Sequence, residues 1–213
     1  MVHTAAYLAS LGTFILHAPY ETLTVSFADD APLTDESFDV WIPNMSMYSP
    51  RGTTAPLCQR IIGLVKRPRT VPGKTLYASP STVAYALCLL VRFRISGLQL
   101  NVDMDELIAI SVFIAYKFLI DWGEGQRSHW AVSLGMSGQR MGVVERGFQE
   151  ALHYNAWIKN VEFHRKVGRM DLLWDETLEQ QAMESRPAPP DFVLKMFGKR
   201  LWQSFIPRWG VKK

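Results

Sequence analysis

The stretch 104–121, MDELIAISVFIAYKFLID, most constrains what this chain can fold into. Between Leu107 and Ile120 its only polar groups are Ser111, Lys117 and the Tyr116 hydroxyl. No Gly or Pro interrupts it, and Asp103 with Glu106 three residues later makes a capping-box start. A helix that is apolar nearly all round must be covered on most sides. No apolar run in the sequence approaches the ~20 residues needed to span a bilayer. This helix is therefore expected at the centre of a protein core, and no membrane partner is expected.

The neighbouring segments supply the cover. Ser79-Pro80 is an N-cap followed by Pro at the first helical position, and the run to Ser96 has no breaker before Gly97. That predicts a helix over about 80–96. A short helix is expected at about 128–134, closed by Gly135. Ser137 then caps a helix over about 138–154. Its apolar positions Met141, Val144, Phe148, Ala151 and Leu152 recur at spacings of three and four. A fifth helix is expected at 157–174, with Ile158, Val161, Val167, Met170 and Leu173 facing inward. No strand-like alternation competes within 79–174. The fold class read from the sequence is all-α, five helices bundled around a buried central one.

The flanks read differently. Residues 1–78 form an N-terminal flank, largely irregular and partly disordered. Within it, 29–56 is rich in Asp, Pro, Ser and Thr, 57–66 is a short helix, and KRPRTVPGK, 66–74, is a basic extended linker. The apolar run Ala5 to Leu16 resembles the core of a signal peptide. No Lys or Arg precedes it, however, and Leu16-His17-Ala18 is a poor cleavage site. Residues 79–175 are the helical domain. Residues 176–213 are a linker broken by Pro187, Pro189 and Pro190, then a tail with an amphipathic helix at 191–205.

With 48% hydrophobic and 20% charged residues the chain is neither disordered throughout nor a disulfide scaffold. Its net charge of +3 is unevenly placed. The segment 81–175 carries ten basic and ten acidic side chains, so nucleic acid is not an expected partner there. Residues 191–213 carry six basic side chains against Asp191, interleaved with Phe197, Trp202, Phe205 and Trp209. The simplest reading is a solvated helix docked by its aromatics; the sharper one is a contact with an acidic partner, or a nuclear-import signal.

Cys58 and Cys88 lack metal-like spacing, which points to a reducing compartment, nuclear or cytoplasmic, with secretion as the alternative. His129, His153 and His164 form no ligand pair. Gly135-Met136-Ser137-Gly138 is not a nucleophile elbow, and there is no phosphate loop or dinucleotide fingerprint. No enzyme activity, cofactor or metal is expected.

The order of several short motifs is more specific than any one of them. Ala115-Tyr116-Lys117-Phe118 is followed by Asp121, then by Trp130-Ala131. Gly135-Met136-Ser137 opens the next helix, Glu145 precedes Phe148, and Leu152 to Trp157 reads LHYNAW. Tyr85, Leu89 and Arg92 fit in the first helix. Together these resemble the cyclin box, most like the single box of the fungal PHO/PCL-type cyclins, over about 79–174. Arg127 stands where that family usually has Asn, and Met141-Gly142 where it has Leu-Asn.

The resemblance implies a regulatory subunit that binds a cyclin-dependent protein kinase and biases it to the active conformation. It implies Lys117 and Glu145 side by side, hydrogen-bonding the backbone before the kinase's regulatory helix, with Leu119, Ile120 and Phe148 also in the kinase-binding set. By residue chemistry alone Lys117 is a snorkelling lysine, and Asp121 its partner one turn on. Trp130, Phe118, Phe148 and Tyr154 are candidate core aromatics. Two alternatives are a cyclin-fold interaction scaffold and a nucleic-acid-binding adaptor like transcription factor IIB.

Overall fold

The computed structural model describes residues 5–27, 52–65, 69–71, 74–76, 81–119 and 126–184. Among them are eight helices: α1 Ala5–His17, α2 Tyr20–Phe27, α3 Thr54–Val65, α4 Ser81–Ile95, α5 Met104–Leu119, α6 Gln126–Leu134, α7 Gly138–Ala151 and α8 Asn160–Glu184. Strands β1 Arg69–Val71 and β2 Lys74–Leu76 pair antiparallel, with Thr70 opposite Thr75. The described residues are thus helical with one small hairpin. The expected basic extended linker at 66–74 includes strand β1 and the first residue of its partner strand β2.

The central helix is α5. Its residues Leu107 to Tyr116 are all buried, as an all-round apolar helix requires. It packs most extensively on α4, where Val83 to Val91 are buried without interruption. On its other sides it meets α3 and α7. Trp130 of α6 inserts between Phe113 and Tyr116 of α5, at ring separations of 5.4 and 5.3 Å. Phe148 of α7 stacks on Phe93 of α4 at 4.8 Å. Each such fully buried large side chain contributes about 1.5–3 kcal/mol over leaving it in water.

Local signals set the helix ends. The Arg140 backbone N–H donates to Ser137 Oγ at 3.1 Å, so Ser137 caps α7. Gly97 and Gly135, with φ of 72° and 73°, close α4 and α6. The Asp103 N–H donates to Glu106 Oε2 at 3.3 Å, the carboxylate half of the capping box. That carboxylate also receives Arg140 Nε at 2.9 Å and Nη2 at 2.6 Å, which ties the start of α5 to the start of α7. The Ser79-Pro80 cap lies outside the described residues.

Within the expected N-terminal flank 1–78, the described residues 5–17, 20–27 and 54–65 are helical. Tyr7, Leu8, Leu11, Phe14 and Ile15 of α1 are at most 1% exposed, and α1 packs against α3, α4 and α5. Leu57, Ile61, Ile62 and Val65 of α3 complete the same core, and the α3 residue Thr54 donates its hydroxyl to Asp105 Oδ1 at 2.7 Å. Residues 1–177 accordingly cluster as one unit, and 178–213 as another, of which 178–184 are described, as helix.

The C-terminal elements differ too. Helix α7 stops at Ala151, not 154, because His153 and Tyr154 take left-handed φ values of 51° and 55°. Helix α8 begins at Asn160 and runs on to Glu184, past the expected end at 174, since nothing between there and Pro187 breaks a helix. Met170 and Leu173 are buried as expected, but Val161, in the first turn, is 71% exposed. Residues 29–50, the linker after 184 and the tail helix at 191–205 lie outside the described residues.

Candidate functional site

Lys117 sits in the last turn of α5, where a cation complements the helix dipole. Glu145 sits midway along α7, on the face that α7 turns toward α5, and is 4% exposed. Lys117 Nζ donates to Glu145 Oε1 at 2.6 Å and lies 5.4 Å from the Phe113 ring centroid. Arg127 Nη2 approaches the other oxygen, Oε2, at 3.0 Å. That contact is an ion pair without hydrogen-bond alignment, so buried Oε2 has charge compensation but no hydrogen-bond donor. Arg127, the residue that departs from the resembled pattern, therefore shares Glu145 with Lys117, and one buried carboxylate faces two cations.

An aromatic surface adjoins this group. Phe118 follows Lys117 directly and is 42% exposed; Leu119 is 40% exposed. Across from them Trp157 is 63% exposed, and its ring meets Phe118 edge to face at 6.0 Å. Tyr154 is 67% exposed, with its hydroxyl donating to Glu150 at 3.2 Å. Two hollows flank the Phe118–Trp157 ridge. One, about 420 Å³, runs along Leu119, Tyr85, Ile158 and Phe163. The other, about 360 Å³, runs along Lys117, Ile114, Tyr154 and Asn155.

This surface revises several sequence expectations. Phe118 and Tyr154 are not core residues. Phe118, in the last turn of α5, is exposed, and so is Tyr154, which has a left-handed backbone. Phe148, expected in the kinase-binding set, is fully buried against Phe93 and presents no surface to a partner. Trp130 is core, as expected. Ile120 and Asp121 lie outside the described residues.

Residues the sequence reading did not assign to the site hold its geometry. The loop 152–159 carries Tyr154 and Trp157, and α4 pins it by main-chain contacts. Tyr85 Oη donates to Ala156 O at 2.7 Å and accepts from Ile158 N–H at 3.1 Å. Arg92 Nη1 donates to Trp157 O at 2.7 Å. Arg92 is itself held by Glu162, through Nε at 3.2 Å and Nη2 at 2.8 Å. Tyr85 and Arg92, which the resemblance placed in the first helix, stand two helical turns apart on one face.

Among the described residues no group of three or more His, Cys, Asp and Glu side chains is placed to hold a metal ion. No described helix is long and apolar enough to cross a membrane. Cys58 and Cys88 are buried free thiols. Compared with models of protein families, with curated proteins and with solved structures, the chain finds no match in any of the three.

Proposed function

We propose that this chain is a cyclin-like regulatory subunit that binds a cyclin-dependent protein kinase and biases it toward its active conformation, performing no chemistry itself. One arrangement carries the reading: the Lys117–Glu145 pair lies at the edge of an exposed aromatic surface with a hollow on each side of the Phe118–Trp157 ridge. Apolar area of this kind supplies affinity to a docked helix, and a charged rim supplies its register. A kinase helix seated there would be held in the conformer whose Glu pairs with the nucleotide-binding Lys. Leu119 and Trp157 make the apolar contact, while Lys117, oriented by the buried Glu145, offers a donor to the kinase backbone.

The test is affinity purification of the full chain from its native cell, followed by titration of any cyclin-dependent kinase recovered. The exposed-residue variant Leu119→Asp with Trp157→Ala should bind that kinase at least about tenfold more weakly, given the usual weight of central aromatics. Unchanged affinity would remove this surface from the interface. Recovery of nucleic acid or of non-kinase proteins alone would overturn the kinase reading.

A further inference from the structure

We infer that the cavity of about 620 Å³ between α2, α4 and the start of α8 is a binding site for a small organic monoanion, a carboxylate on an apolar body. The inference is independent of the kinase reading. This cavity shares only Asn155 with the two hollows described above.

Its charge count sets the sign of the ligand. Two basic side chains, Arg92 and Lys166, pair with the single lining carboxylate, Glu162, and His153 also lines the cavity. Burial alone would raise the Glu162 carboxyl, but the hydrogen bonds from Arg92 and Lys166 outweigh it and hold the group below its ordinary range. Glu162 is therefore ionised at neutral pH, and the cavity keeps one positive charge in excess. Lys166 is only 6% exposed. A buried ammonium is stable only with anionic or hydrogen-bonding partners around it.

The donor count locates the excess. Arg92 places Nε and Nη2 on Glu162 and Nη1 on the Trp157 carbonyl, so its fork is engaged. Lys166 Nζ gives one N–H to Glu162 Oε1 at 2.6 Å. An ammonium has three such donors, and among the described residues no second acceptor takes one. Thr24 and Asn155 also line the cavity, the Thr24 hydroxyl donating to Glu21 O and Asn155 Oδ1 accepting from the Trp157 N–H. One carboxylate would balance the surplus and accept from Lys166. A dianion would leave net negative charge beside Glu162.

The rest of the lining sets the body of the ligand. Phe27, Ile95 and Leu152 form an apolar floor. The volume lies within the about 300–1,000 Å³ usual for small-molecule sites, which combine an apolar lining with a few convergent polar groups.

Calorimetric titration of the full chain with octanoate, 1-octanol, octyltrimethylammonium and octyl phosphate tests this. Octanoate should bind at one site per chain, about tenfold or more tighter than the alcohol or the cation, and at least as tightly as the phosphate. Lys166→Met should weaken octanoate by about tenfold or more and leave 1-octanol unchanged, the alcohol reporting that the cavity is intact. If that variant does not fold, the panel on the unsubstituted chain decides. Octanol as tight as octanoate would overturn the anion assignment. Octyl phosphate about tenfold tighter would overturn the monoanion assignment, and no octanoate binding up to about 10 mM would overturn the site.

Discussion

Arg127 Nη2 lies 3.0 Å from Glu145 Oε2, the oxygen that Lys117 leaves open. The two cations are not equivalent. Arg127 is 53% exposed, whereas Lys117 is 29% exposed and hydrogen-bonded to the carboxylate. Arg127→Ala should therefore cost under about 1 kcal/mol, as exposed ion pairs do. Lys117→Met leaves a buried carboxylate without its hydrogen bond and should cost about 1–3 kcal/mol. Urea denaturation of both variants checks the order, and equal losses would make Arg127 the main partner of Glu145.

Helices α1 and α5 come close at Gly12. A Cβ there would stand 2.9 Å from Ile108 Cδ1 and 3.1 Å from its Cγ1, and Ile108 is fully buried. Gly12→Ala gains up to about 1 kcal/mol of helix propensity but should lose about 1–3 kcal/mol to overpacking. Ile108→Val removes the nearest atom. The double variant should be more stable than the two single losses summed, as a double-mutant cycle on denaturation free energies would show.

Acid should act through Glu162. Its carboxyl is depressed in the folded chain, where the hydrogen bonds from Arg92 and Lys166 outweigh burial. A depressed carboxyl stabilises above its unfolded value of about 4.3, and that stability is lost as pH falls through the lower folded value. Glu106, lowered by its hydrogen bonds from Arg140, works in the same direction with more solvent around it. The stability gap between the unsubstituted chain and Glu162→Gln should be widest near pH 6 and should narrow as pH falls below about 4.3. A gap that does not vary with pH would contradict this linkage.

Cys58 and Cys88 should be chemically silent in the folded chain. Burial pushes each thiol up to about 12, with Asp105 adding to the effect at Cys58. The thiolate is the reactive form. Labelling by an alkylating reagent at neutral pH should follow unfolding, with both thiols modified in denaturant and neither in buffer.

Helices α4, α6 and α7 were legible because their signals are local. Ser137, Gly97 and Gly135 act on backbone groups within a few residues, and the stripe from Met141 to Leu152 needs only the helical period. Val161 fits the same period yet is exposed, because it lies in the overhanging first turn of α8. Periodicity tells which residues share a face, not whether another element reaches that face.

Sequence alone determined the centre of this protein. A helix with apolar groups all round has to be buried, and α5 is. It also marked Lys117 and Glu145, though not their separation. Tertiary structure decided what covers α5 and what remains open. It brought α1 and α3 into the core, gave Arg127 to Glu145, left Phe118 and Tyr154 exposed, and set Arg92, Glu162 and Lys166 beside one open cavity. Burial and charge pairing between distant segments depend on their arrangement in space, and local propensities do not carry that arrangement.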